Sequence, residues 1–80
     1  MMDTLMEALA ENDFVVTEDS NDAVTYSKES RNGTEEFTLL LNENVVLHER
    51  YNGTNGSQIY SQRMPLKSVT HMSAILRVIK

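Results

Sequence analysis

Two seven-residue segments rich in β-favouring side chains, 35–41 and 45–51, flank a three-residue turn, Asn42-Glu43-Asn44, in the middle of the chain. Apolar and polar residues largely alternate along both segments, and this pattern predicts a β-hairpin. Because successive side chains of a strand point to opposite faces, each segment has one mainly apolar face. We expect the two apolar faces to form a single side of the hairpin, which the rest of the chain covers. The residues assigned to this side are Phe37, Leu39, Leu41, Val45, Leu47 and Tyr51.

The composition indicates one small domain, spanning residues 1–80. A chain of 80 residues is near the lower end of what folds without disulfides or metals. It contains no cysteine, which excludes disulfides and thiolate metal sites and fits a reducing compartment. The first residues show neither a basic segment nor a long apolar run, and no stretch approaches the roughly 20 apolar residues of a membrane span. We therefore predict a cytoplasmic protein without a membrane anchor.

The remaining residues predict a helix at each end of the chain and further strands between them. The N-terminal helix should end near Glu11 or Asn12, and strands are expected over 14–17, 23–29 and 57–64. Asn32-Gly33 predicts a tight type I′ turn, while Pro65 should end the last strand. Consecutive strands joined by short turns usually pair with each other. The predicted fold is α+β: an antiparallel β-meander of four to five strands, flanked by an N-terminal and a C-terminal helix in two layers.

Residues 66–80 predict the second helix, with Ser68 as its N-cap. The apolar residues from Val69 to Ile79 cover about half of a helical wheel, and the basic Arg77 suits the C-terminal end. A strand through Ile75–Ile79 is the alternative, because β-branched residues are frequent there. We interpret the apolar half of the helix mainly as core. An uncovered remainder would be a partner surface, and a homodimer through this helix is the corresponding expectation.

The sequence shows no catalytic or metal-binding motif. His48 and His71 lack an i, i+4 spacing and any cysteine nearby, so we expect both to be exposed or half-exposed polar residues. His48 and Glu49 cannot act together, because adjacent strand residues point to opposite faces. The glycines form neither a phosphate-binding loop nor a nucleophile elbow. We therefore predict no enzyme, no metal and no cofactor.

Charge is distributed unevenly along the chain, which has a net charge of -5. All twelve acidic residues precede Arg50, whereas residues 50–80 contain five basic residues and no acidic one. This asymmetry predicts an acidic face and a basic face on one small body. The predicted acidic partner-binding face comprises Glu18, Asp19, Asp22, Glu29, Glu35 and Glu36, and the basic face comprises Arg50, Arg63, Lys67 and Arg77.

These observations predict a small acidic protein-interaction module whose partner is another protein, because segregated charges steer and orient a partner. One alternative is an inhibitor of the kind a phage or plasmid carries, which mimics nucleic-acid charge and blocks a nucleic-acid-binding or defence protein. A second alternative is a small-ligand-binding domain that uses His48, Tyr51, Tyr60 and Arg63. Direct nucleic-acid binding is disfavoured, since it needs several phosphate contacts and the last helix opens beside Lys67 alone.

Overall fold

The computed structural model describes residues 2–80, which form two helices and a five-stranded antiparallel sheet. The strands lie in the order β1-β2-β3-β4-β5, so that each one pairs with its neighbours along the chain. The predicted α+β meander with a helix at each end is thereby confirmed. The elements are α1 (Met2–Glu11), β1 (Val15–Asp19), β2 (Ala23–Ser30), β3 (Gly33–Leu40), β4 (Val45–Asn52), β5 (Gln58–Pro65) and α2 (Val69–Ile79).

Both helices cover the same face of the sheet, here called the covered face. Phe37 and Leu39 of β3 are fully buried at its centre. Phe14, in the connection between α1 and β1, packs edge-on against Phe37 with 5.3 Å between the ring centroids. Burying such aromatic and aliphatic groups is the main source of stability in a domain of this size. The core consists of Leu5, Ala8, Leu9, Phe14, Val24, Tyr26, Phe37, Leu39, Val46, Leu66, Ile75 and Ile79.

The opposite side of the sheet, here called the open face, has no helix over it within the described residues. It carries polar side chains over most of its area and the apolar Leu40, Val45 and Leu47 near the β3–β4 turn. The hydroxyls of Thr25 and Thr38 lie 3.0 Å apart across β2 and β3. Ser27 donates to the carboxylate of Glu36 on the same face, at 3.2 Å. Such cross-strand pairs are the units that stabilise a sheet, and here Thr25 and Ser27 are buried between their neighbours.

The turn between β3 and β4 contains four residues, 41–44, rather than the predicted three. Leu40 and Val45 form the last pair of the ladder, while the backbone N–H of Leu41 donates to the carbonyl of Asp22 at 2.9 Å. Leu41 thus stays beside β2 and does not pair with β4. The longer turn places Phe37 opposite His48 and Leu39 opposite Val46.

This register changes which residues of β4 face the core. A shift of one residue moves every side chain of a strand to the other face. Leu41 packs against the core as expected. Val45, Leu47 and Tyr51 instead lie on the open face, so the prediction that they share a side with Phe37 was wrong.

The C-terminal segment is a helix, which excludes the alternative of a strand through Ile75–Ile79. Ser68 caps it as predicted: its hydroxyl accepts a hydrogen bond from the backbone N–H of His71 at 3.2 Å. One stripe of the helix packs onto the core, with Ile75 and Ile79 buried and Met72 and Leu76 partly buried.

Val69 and Val78 are the large apolar side chains of α2 that stay exposed, at 78% and 41%. They are nine residues apart, which places them on opposite sides of a helix with about 3.6 residues per turn. The core therefore takes up most of the apolar half of α2, and the remainder forms no continuous strip.

The β2–β3 turn consists of Arg31 and Asn32, with Ser30 paired to Gly33. A type I′ turn requires positive φ at both central residues, and within residues 2–80 the non-glycine residues with positive φ are Asp13 and Asn44. The predicted type I′ turn was therefore wrong. Gly33 instead starts β3 with a φ of 141°, in close contact with the backbone of Tyr51.

Neither of the two helices within residues 2–80 is long and apolar enough to cross a lipid bilayer.

Candidate functional site

A buried histidine is the most unusual polar feature of the covered face. His48 is only 2% exposed, and its ring stacks on Phe37 with 4.3 Å between centroids and 4° between planes. Tyr60 of β5 contacts the same ring edge-on at 5.0 Å. The prediction that His48 is exposed or half-exposed was therefore wrong. The register of β4, which sequence patterning misassigned, is the reason.

Glu35 connects this histidine to the surface. Its Oε2 lies 2.7 Å from Nε2 of His48 and 3.3 Å from Nε of Arg50. The other ring nitrogen of His48, Nδ1, is buried without a hydrogen-bond partner among the described residues. A buried polar atom without a partner costs free energy, so packing against Phe37 and Tyr60 has to offset this cost.

The Glu35–His48–Arg50 cluster has the residue types of a general base, and its histidine ring is almost fully buried. The histidine ring lies under Tyr60 and against Phe37, so a substrate cannot reach it without displacing them. Within residues 2–80 no group of three or more His, Asp or Glu side chains is arranged to hold a metal ion. The cluster joins β3 to β4 through Glu35, and its histidine contacts Tyr60 of β5.

We expect His48→Ala to lower the free energy of unfolding by about 2–4 kcal/mol, because the substitution leaves a cavity beside Phe37. His71→Ala is the matched control: His71 is exposed, and its Nδ1 accepts one hydrogen bond from the N–H of Lys67. Its effect should stay within about 0.5 kcal/mol. Urea unfolding followed by circular dichroism measures both, and equal effects would contradict the burial of His48.

On the open face, a tyrosine and two carboxylates form a second polar group. Glu36 and Glu49 are directly opposite each other on β3 and β4. Tyr51 donates to Oε2 of Glu49 at 3.2 Å, and Gln58 donates to the same oxygen at 3.0 Å. Partial burial raises the pKa of Tyr51 above its usual 10.0, and the negative charge of Glu49 raises this pKa further. The phenol therefore remains a hydrogen-bond donor throughout the neutral range.

The six carboxylates predicted to form an acidic face lie in two groups at opposite ends of the sheet. Glu18 and Asp19, at the end of β1, pair with the first half of β2, close to the turn that contains Asp22. Asn42 donates to the carboxylate of Asp22 at 2.8 Å. The second group, Glu29, Glu35 and Glu36, flanks the β2–β3 turn. The structure thus does not bring the six residues together on one face.

The four residues predicted to form a basic face are also separated. Arg50 lies on the covered face and contacts Glu35, whereas Arg63 lies on the open face and donates to Glu43 at 3.2 Å. Lys67 is in the connection between β5 and α2, and Arg77 is in the last turn of α2. The charge asymmetry of the sequence instead becomes a gradient across the sheet, because strand order follows chain order. The acidic residues are concentrated on the β1 side.

The four polar residues proposed for a small-ligand site do not converge. His48 and Tyr60 lie on the covered face, where their rings contact each other. Tyr51 and Arg63 lie on the open face, on the opposite side of the sheet. Of two surface depressions, one is lined by Tyr51 alone of the four, and the other by none of them.

The longer of the two edge strands, β5, is exposed along almost its whole length. Seven of its eight residues are exposed, and Ile59 reaches 62%. Arg63 is its one charged residue. Long edge strands of monomeric proteins usually carry several charges, a bulge or a covering segment, because free backbone groups invite pairing with another chain. The pairing of β5 with β4 is irregular at Ile59, near the start of the strand, and regular from Tyr60 to Pro65.

The other edge strand, β1, is protected in these ways. It has five residues, ends in Glu18-Asp19 and contains an irregularity between Val16 and Glu18 that places Thr17 outside the regular pairing. A meander order predicts that its first and last strands are edges, so the low charge of 57–65 was a readable signal. The prediction from sequence missed this signal because it grouped the charged residues into two faces and did not consider the edges of the sheet.

No family model matches this chain, and neither the curated proteins nor the solved structures compared with it provide a match.

Proposed function

We propose that this protein is a small non-enzymatic interaction module that binds another protein by adding a strand to the edge of β5. The observation that carries the proposal is the exposure of β5 along almost its whole length, with Arg63 as its single charge. In β-strand addition, free main-chain groups of a sheet edge supply affinity, and the flanking side chains supply specificity.

The pairing of β5 with β4 determines which of its backbone groups are free. The N–H of Leu66 donates to the carbonyl of Asn44 at 2.8 Å. Hydrogen-bonded pairs alternate in an antiparallel ladder, so Met64, Gln62 and Tyr60 direct their backbone groups toward β4. Arg63 and Ser61 therefore direct theirs outward. Pro65, which has no N–H, occupies a position where none is needed by β4.

The inhibitor that mimics nucleic-acid charge receives less support from this geometry. Its six carboxylates lie at two ends of the sheet, and three of them, Asp22, Glu35 and Glu36, already have side-chain partners. The β5 edge, by contrast, is a single continuous surface with unused donors and acceptors.

Ser61→Pro tests the proposal, because proline removes the outward N–H of residue 61 and keeps the ladder with β4. A lysate is passed over the immobilised native chain, and the proteins retained are compared with those retained by Ser61→Pro. We expect the specific partners of the native chain to be lost. Val16→Pro, on the other edge strand, is the control: the backbone N–H of Val16 points away from β2, so this variant keeps the β1–β2 ladder and should retain them. Identical sets from both variants would contradict a role of β5.

A further inference from the structure

We infer that the strand added to β5 is the β5 strand of a second copy, so that two protomers form one continuous ten-stranded sheet. This inference rests on the proposed function and names the partner. An isologous interface of this kind needs a surface that is complementary to itself when turned by 180°. An antiparallel pair of identical strands has this symmetry, and β5 meets its requirements in backbone, side chains and charge.

The backbone favours one register. Hydrogen-bonded pairs between copies must join the residues whose backbone points outward, which are Ser61 and Arg63. A register centred on Gln62 pairs Ser61 of each copy with Arg63 of the other and forms four N–H···O bonds. A register centred on Ser61 would oppose Arg63 and Ile59, which lies at the irregularity between β4 and β5. We therefore assign the twofold axis to Gln62.

The side chains fit this register. On the covered face, Gln62 faces the second copy's Gln62, and two amides bond to each other as donor and acceptor. Tyr60 faces the second copy's Met64, a contact between an aromatic ring and a thioether that is favourable. On the open face, Arg63 faces a neutral Ser61, so no like charges are directly opposed.

The charge gradient of the sheet also favours β5 over other edges. If two β1 edges met, Glu18 and Asp19 of one copy would lie close to the same carboxylates of the other copy. When β5 edges meet, the nearest strand rich in carboxylates is β3, and five strand spacings, roughly 24 Å, separate it from β3 of the second copy. This distance exceeds the screening length at physiological salt, so repulsion between the acidic parts of two copies is weak.

Sedimentation equilibrium of the purified chain and its Ser61 variants tests the inference. We expect a reversible dimer that Ser61→Pro weakens by roughly tenfold or more, since two of the four intermolecular hydrogen bonds are lost. Ser61→Lys should weaken the dimer by placing a cation opposite Arg63, while Ser61→Glu should strengthen it. Within one protomer the two substitutions have the opposite effects on stability, because residue 61 lies opposite Glu49: lysine there is favourable and glutamate is unfavourable. The expected dimer affinity rises from Ser61→Lys to the native chain to Ser61→Glu, which is the reverse of the effect on monomer stability. Changes in monomer stability therefore cannot explain this order, and the test holds even if Ser61→Pro fails to fold.

A single introduced cysteine tests the register, because the chain contains none. In the assigned register, Gln62 and its copy form a non-hydrogen-bonded pair with Cα atoms about 4.5 Å apart, within the range of a disulfide. We expect Gln62→Cys to form a disulfide-linked dimer under mild oxidation, and Val15→Cys on β1 to stay monomeric.

Three results would overturn the inference. They are a monomer at all concentrations, a dimer insensitive to the Ser61 variants but crosslinked through Val69→Cys or Val78→Cys on α2, and growth beyond the dimer through β1 and β5 edges. A monomer whose capture of other proteins still depends on Ser61 would remove the second copy as partner and leave the proposed function intact.

Discussion

Val46→Glu is expected to abolish or severely reduce folding, whereas Leu47→Glu, one residue further along β4, is expected to be tolerated. Val46 is 1% exposed and lies opposite Leu39 in the core, so a carboxyl group there has neither water nor a donor. We expect a loss of about 4 kcal/mol or more, a large part of the stability of a small domain. Leu47 is half-buried on the open face, where a carboxylate lies near Arg63. We expect a loss of about 1 kcal/mol.

Urea unfolding, followed by circular dichroism, measures both variants, and native-like spectra in dilute buffer show which chain still folds. The comparison is decisive for the register of the central hairpin. A three-residue β3–β4 turn would place Leu47 opposite Leu39 and would exchange the two outcomes. A folded Val46→Glu together with an unfolded Leu47→Glu is thus the result that contradicts the structure.

Gly33→Ala is expected to be the most damaging of the glycine substitutions, with a loss of about 3 kcal/mol or more. Gly33 has a φ of 141°, and a β-carbon there would lie 1.9 Å from the carbonyl oxygen of Tyr51 and 2.9 Å from the backbone nitrogen of Gly53. These are backbone atoms of β4 and of the turn that follows it, and they cannot move away as a side chain would. The substitution therefore separates the β2–β3 turn from the β4–β5 turn.

Gly56→Ala is the matched control for the positive φ alone. Gly56 has a φ of 73°, and a β-carbon there meets no atom within 4 Å. We expect a loss of about 1 kcal/mol, the usual cost of a left-handed conformation for a non-glycine residue. Denaturation midpoints of the two variants provide the measurement. Equal losses would show that the close approach at Gly33 does not exist.

The candidate site was only partly predictable from the sequence. The low charge of β5 is a local property, and the meander order that makes β5 an edge follows from short turns. The direction of its free backbone groups depends on which residues of β5 form hydrogen-bonded pairs with β4. The hydrogen bond from the N–H of Leu66 to the carbonyl of Asn44 identifies these pairs, and only the structure shows it. The predicted acidic and basic faces grouped residues by their position in the chain. In the structure the residues of each group lie at different ends of the sheet or on opposite faces of it.

The sequence by itself determined the elements and their order, because the signals are local. Ser68 caps α2, Pro65 ends β5, and asparagine and glycine mark the turns. Only the tertiary structure decided the register of the central hairpin, because a three-residue and a four-residue turn differ in which side chains of β4 reach the core. The four-residue turn of the structure pairs Phe37 with His48 and Leu39 with Val46, so it buries His48 in place of Leu47. Because strand side chains repeat every two residues, a difference of one residue in the register changes what each face presents.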